Sequence, residues 1–228
     1  PKARIERMDM DTTKGKYGFE KIIHRFERGE TDILVGTQMV SKGLDFPKVG
    51  LVGVMNADLF LHQPDFRASE RAFQLLSHIA GRAGRKGQGQ VLIQTYNPFQ
   101  ETLQRVQQDD YTAMITTQLA ERHDFHYPPY YRLIRISFRH RELERINQAG
   151  QWFADGLRTG LAAYHVEVLG AEFPPISRIR NEYIKHILLK IVPKVPLPVV
   201  KDYILRLEQS FYSTALFRPV MLSYNVDP

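Results

Sequence analysis

The chain has 228 residues, an apolar share of 43% and a formal net charge of +6. It has no cysteine, which excludes disulfides and thiolate zinc sites within it. No stretch approaches the roughly 18 consecutive apolar residues of a membrane span, and the basic balance suits a polyanionic partner, nucleic acid first. The opening PKARIERMDMDTTKG is charged, with no signal-peptide core and no initiator Met. The sequence therefore reads as a portion of a longer cytoplasmic protein.

Residues 3–8 alternate well enough for a short strand, and DMDTTKGK follows as a polar loop. Phe19, Ile22, Ile23 and Phe26 stand at helical spacing over 17–28, and Gly29 stops that helix. ILV at 33–35 predicts a buried strand, and VGLVGVM at 49–55 another. Ala72, Phe73, Leu76 and Ile79 predict a helix over 67–80, and QVLIQT at 90–95 a further strand. This alternation implies a mostly parallel sheet with crossover helices. Residues 99–122 predict one or two connecting helices, with Phe99, Leu103 and Val106 along one stripe. The paired prolines of HYPPYYR, 126–132, break that pattern and place a boundary near Asp124.

The remainder predicts strand 132–139, helix 143–164, strand 166–170, a loop over 172–183, strand 184–192, helix 197–211 and strand 219–225. Leu143, Ile146, Gly150, Phe153, Leu157 and Leu161 share one face of the first helix. Val200, Ile204, Leu207 and Phe211 point inward from the second. The order βαββαβ is a ferredoxin-like α+β pattern. The expected division is 1–98, a helical connector over 99–124, and a domain over 125–228.

Chemistry concentrates in three places. LLSHIAGRAGRKGQG, 75–89, sets Arg82 and Arg85 three apart among glycines. A helical end presents both on one side, and guanidinium forks grip phosphate. VGTQMVSKGLDFPKV, 35–49, ends a strand in Gly36, Thr37 and Gln38, where ligands of open α/β sheets gather. Gly43 lets the chain turn and Asp45 offers an acceptor to a ribose hydroxyl. Taken singly, Thr37 also reads as a helix cap, Asp45 as a turn residue and the arginines as a solvated glycine-rich turn. The third place is the last domain. Strand alternation turns Ile134, Ile136 and Phe138 one way and Arg135, Ser137 and Arg139 the other. Arg178, Arg180, Lys185 and Lys190, with Tyr127, Tyr130, Tyr131 and Tyr183 nearby in sequence, suit a nucleic-acid backbone and stacked bases. A solvated outer face with the tyrosines packed at a junction is the other reading. His24, His62, His123, His126, His140, His165 and His186 show no metal-ligand spacing, and Trp152 reads as packing.

Together, the Gly-Thr-Gln strand exit, the Gly-x-Asp after it and the arginine pair resemble motifs V and VI of the second RecA-like lobe of superfamily 2 helicases. RMDMDTT, NADLFLHQPDFRASERAFQLL, HIAGRAGR, YPPYYRL and PPISRIRNEYIKHILLK extend that resemblance, over essentially the whole chain, to the PriA family of replication-restart helicases. The resemblance implies a partial RecA-like lobe followed by a domain that binds forked DNA. It implies an ATP-dependent 3′→5′ DNA helicase acting in replication restart and primosome assembly. Under it, Arg82 and Arg85 are arginine fingers for the γ-phosphate of ATP. Gly43, Asp45, His78 and Gly81 share the nucleotide side, and His78 replaces the Gln that usually opens motif VI. Thr37, Gln38 and Lys42 contact the DNA strand, as do Arg135, Arg139, Arg178, Arg180 and Lys185 in the last domain.

ATP and Mg2+ are the implied cofactors, shared with a lobe outside this sequence, and the family's zinc also belongs to a part outside it; no metal site is expected here. Implied partners are forked and single-stranded DNA, single-strand-binding protein and other primosome proteins, with no membrane, in the bacterial cytoplasm at the nucleoid. Neither a GxxxxGK[ST] phosphate loop nor a DExH acid pair is present, so the chain alone is not expected to hydrolyse ATP. Two other readings stay open: a non-catalytic nucleic-acid-binding or scaffold module, and a RecG-like helicase, against which Asp65-Phe66-Arg67 argues.

Overall fold

A computed structural model describes residues 2–13, 17–37, 49–81 and 89–228. The chain divides into two compact units, Pro1–Gln118 and Leu119–Pro228. Among the described residues, no helix is long and apolar enough to cross a membrane.

The first unit is built from two βαβ crossovers. Strand β1 (Ile5–Met8) leads through helix α1 (Gly18–Glu27) to β2 (Ile33–Gly36), and β1 and β2 pair in parallel with Ile5 opposite Ile33. Gly29 stops α1 at φ +74°, the left-handed region that costs glycine least. Its amide donates to Phe26 O and that of Glu30 to Arg25 O, the paired bonds of a Schellman ending. Arg4 then fastens the crossover. Its Nε and Nη2 donate to the Asp32 carboxylate at 3.0 and 2.8 Å, and Nη2 also to Gly29 O at 2.6 Å.

The second crossover runs from β3 (Leu51–Val54) through α2 (Asp58–Leu61) and α3 (Ala68–Ala80) to β4 (Gln90–Ile93), again parallel. Helices α4 (Glu101–Gln108) and α5 (Tyr111–Asp124) follow. Leu103, Val106 and Met114 enter one core with Val54, Ala57, Leu61, Ala72, Phe73 and Leu76. Helix α4 and the first part of α5 cluster with the first unit. Phe99 leaves the expected stripe because it precedes α4, whose N-cap is Gln100, and is exposed.

The parallel pairing is as expected, and among the described residues it falls into two two-stranded ladders. One expectation is corrected: the ILV strand is not buried, since Ile33 is 45% and Val35 52% exposed. Each strand has four residues and a single ladder neighbour, which leaves an edge and part of a face without the cover that parallel strands ordinarily receive.

In the second unit, β5 (Arg132–His140), α6 (Leu143–Gly160), β6 (Glu167–Glu172), β7 (Arg178–Ile179), β8 (Glu182–Ile191), α7 (Leu197–Ser213) and β9 (Met221–Val226) follow in order. The antiparallel sheet runs β6-β8-β5-β9, with β7 paired to β8. Strand β7 falls within 172–183, where the sequence predicts a loop, because its two residues are too few for a period-two signal. Ile134, Ile136 and Phe138 of β5 and Ile187, Leu189 and Ile191 of β8 meet α6 and α7 in one core. Phe138, Phe153 and Phe211 interlock there edge-to-face at 5.5–6.3 Å. Trp152 lies at the border of that cluster, 36% exposed and 5.8 Å from both the Phe211 and Phe217 rings. Helix α6 presents glycines to α7: a Cβ on Gly160 would meet Tyr203 Cζ at 1.8 Å, and one on Gly156 would meet Leu207 Cδ1 at 2.7 Å. Hydrogen is therefore the substituent that fits at both places.

Candidate nucleic-acid interface

In the first unit the described residues include the exit of β2 and the end of α3. Thr37 follows the last residue of β2 and is exposed. Gln38, Lys42, Gly43 and Asp45 lie outside the described residues, as do Arg82 and Arg85. Helix α3 precedes the arginine segment in sequence. Asp65 opens it by accepting from the Arg67 amide at 2.8 Å, and its carboxylate pairs with Arg71 at 2.6 Å. The Arg67 guanidinium lies over the Phe66 ring at 4.1 Å. Ala72, Phe73 and Leu76 fix the buried side of α3, which leaves His78 exposed in its last turn. Gly81 caps the helix in right-handed conformation, with its amide on Ser77 O at 2.9 Å. A Cβ there would meet Ser77 O at 3.5 Å, an ordinary contact, so Gly81 is not demanded by its own backbone.

Sequence reasoning missed Asp58. It is 9% exposed, accepts from Thr95 Oγ1 at 3.0 Å and from the Tyr96 amide at 3.1 Å, and so ties α2 to the exit of β4. No periodic signal marks such a tie, because its partners lie 37 and 38 residues away.

The second unit sorts its cations by strand register. Directly opposed residues in an antiparallel ladder share a face. Arg135 stands opposite Leu188 and Asn225, and Arg139 opposite Ile184 and Met221, on the face away from the helices. Lys185 stands opposite Phe138 and therefore on the helix side. It lies over the Phe173 ring at 4.6 Å, its Nζ donates to Ala171 O at 3.4 Å, and burial pushes its pKa below that of an ordinary lysine. Arg178 stands opposite Tyr183, its guanidinium 4.8 Å from that ring and hydrogen-bonded to Asn181 Oδ1. Arg180 and Asn181 hold φ +50° and +66° in the two-residue turn between β7 and β8, as a type I′ hairpin requires. The five expected DNA contacts thus separate into three places: Arg135 with Arg139, the hairpin arginines, and Lys185 alone.

The tyrosines split as well. Lys190, 7% exposed, donates from Nζ to Phe125 O at 2.6 Å and sits 4.1 Å from the Tyr127 ring. Burial lowers its pKa, partly countered by Glu167, which stands opposite it on β6. Tyr131 stacks on His126 at 4.3 Å, and His126 Nδ1 bonds to Glu167 Oε1. Tyr127 and Tyr131 are therefore packed into the tie between residues 125–131 and the sheet, while Tyr130 stands edge-on to His123 at 5.1 Å and remains 36% exposed.

Known families match this chain in two successive stretches. The helicase conserved C-terminal domain covers residues 2–87 and the primosomal protein N C-terminal domain covers residues 123–228. The replication restart protein PriA of Bacillus subtilis strain 168 is 38% identical over 229 residues, spanning 100% of this chain and 28% of that protein. The Synechocystis protein of the same name is 40% identical over 194 residues, 83% of this chain and 23% of its own length. That of Treponema pallidum strain Nichols is 37% identical over 197 residues, 86% of this chain and 30% of its own. The chain thus spans less than a third of the length of these relatives. Carrying both domains in sequence, it belongs to the PriA family of replication restart proteins.

Proposed function

We propose that this chain supplies the second helicase lobe and a nucleic-acid-binding domain to an ATP-dependent 3′→5′ DNA helicase that restarts replication at stalled forks. The observation that carries this reading is the order of the two matched domains along one chain, in relatives that bear the name replication restart protein. Forked and single-stranded DNA, single-strand-binding protein and other primosome proteins are the partners under this reading, in the cytoplasm at the nucleoid.

Bound ATP with Mg2+ would supply the phosphoryl transfer that drives unwinding. Arg82 and Arg85, in the segment that follows the α3 cap at Gly81, would offer guanidinium forks to its γ-phosphate. The exposure of His78 in the last turn of α3 and of Thr37 after β2 supports assigning nucleotide contact to the one and DNA contact to the other.

For the second unit we adopt the ferredoxin-like reading. The element order β5-α6-β6-β8-α7-β9, the strand order β6-β8-β5-β9 and a core shared with both helices support it. Its helix-free face carries Arg135 and Arg139, and neither makes an ion pair among the described residues.

The test joins this chain to a lobe carrying a phosphate loop and measures DNA-stimulated ATP hydrolysis. Arg82→Ala should lower kcat about a thousandfold with DNA binding retained. Full ATPase activity in that variant would reassign the arginines to backbone phosphate in a non-catalytic module.

A further inference from the structure

On the helix-free face of the second unit, His186 occupies the middle of a basic row. It stands opposite Ser137 on β5, which in turn stands opposite Ser223 on β9. Arg135 and Arg139 lie two residues to either side of Ser137, on the same face. Such diagonal neighbours are about 7–8 Å apart, within reach of an arginine side chain. On β6, the exposed Glu172 carboxylate stands opposite His186. Its own strand neighbours, Lys185 and Ile187, turn to the helix side.

Elsewhere in the unit, Arg145 pairs with Glu142 and Arg158 with Asp155. Arg135 and Arg139 find none among the described residues. Arg135 Nε and His186 Nδ1 are moreover buried with no hydrogen-bond partner among the described residues. Buried polar atoms are ordinarily satisfied, and here two orphans share a face with a second guanidinium, that of the exposed Arg139. Burial first, then repulsion from Arg135, with a smaller push from Arg139, lowers the His186 pKa against a hydrogen bond with the Lys185 backbone. The face away from α6 and α7 therefore holds an imidazole whose charged form is disfavoured, between two guanidinium groups that make no ion pair among the described residues.

We propose that this row is a phosphodiester-binding site in which His186 takes up a proton as a nucleic-acid backbone docks between Arg135 and Arg139. The proposal rests on the nucleic-acid-binding reading of the second unit and adds its location and proton linkage. A phosphate between the two arginines cancels the repulsion that keeps the imidazole neutral and accepts a charge-assisted hydrogen bond from the imidazolium. The His186 pKa is then higher in the complex than in the free protein. By linkage, affinity rises as pH falls through the bound-state pKa and levels off below the free-state pKa. Serine hydroxyls from Ser137 and Ser223 extend the same row as neutral donors.

The test measures fluorescence anisotropy of the 228-residue chain with a labelled oligothymidine at about pH 8 and about pH 5.5. Wild type should bind at least about fivefold more tightly at the lower pH. His186→Gln should lose that gain, binding with the same affinity at the two pH values, with an unchanged circular dichroism spectrum. Arg135→Gln and Arg139→Gln should each weaken binding at both pH values and reduce the salt slope by about 0.7. An undiminished pH response in His186→Gln overturns the proton site. Undiminished affinity in both arginine variants overturns the location, while wild-type binding leaves the nucleic-acid reading standing. Failure of wild type to bind at either pH removes both.

Discussion

Lys185 stands directly opposite Phe138 in the β5–β8 ladder, whereas His186, the next residue, stands opposite Ser137. That single step moves a side chain from the helix-packed side of the sheet to the side that carries Arg135 and Arg139.

Lys185 should therefore be dispensable for nucleic-acid binding. Lys185→Met keeps an unbranched stem over the Phe173 ring and removes a charge that burial already disfavours. DNA affinity should change by less than about twofold and the salt slope by less than the roughly 0.7 expected for one lost phosphate contact. Anisotropy across a salt series checks this, and a full-unit fall in slope would place Lys185 on the DNA.

Gly160 should be intolerant of any side chain. A Cβ there would overlap Tyr203, whose hydroxyl donates to Gly156 O at 2.8 Å. Gly160→Ala must displace the ring, break that bond and separate α6 from α7, at about 1–3 kcal/mol. Urea unfolding of the second unit measures the loss. An unchanged midpoint would mean that α7 accommodates the methyl group.

The Arg4–Asp32 tie predicts an acid dependence of the first unit. The Arg4 side-chain hydrogen bond, with a second bond from the Arg4 amide, holds the Asp32 carboxyl down at about 2. An unfolded aspartate titrates near 3.9. Its folded pKa is the lower one, so its stabilisation is complete above the unfolded value and is lost as pH falls from about 4 through about 2. Asp32→Asn should flatten the stability of the first unit across that window, followed by far-ultraviolet circular dichroism. Equal slopes for the two proteins would show that the tie does not contribute.

Much of the second unit was legible because its signals are local. Alternation over 132–139 separates Ile134, Ile136 and Phe138 from Arg135 and Arg139, and the structure places the two sets on opposite faces. The helical stripe Ile146, Gly150, Phe153, Leu157 and Leu161 is buried, and Leu143 at its start is 45% exposed. What was not legible depends on pairing between strands. His186 and Lys185 differ in face through a register that only the ladder reveals. Lys190 reads as a surface cation in sequence, yet its Nζ meets the Phe125 carbonyl 65 residues away. In the first unit, ILV and VGLVGVM read as strands of one sheet. Nothing local in them states that β2 and β3 would lie in separate ladders among the described residues.

The central claim is that residues 1–228 hold a phosphate-contacting surface as well as a helicase lobe. Fluorescence anisotropy with forked, single-stranded and duplex DNA across a salt series tests it most directly. Binding to forked and single-stranded DNA whose logarithm falls steeply with the logarithm of salt, at about 0.7 per phosphate contacted on single strands, is the predicted result. No binding to any of the three at low salt would contradict it and make the second unit a docking or packing module.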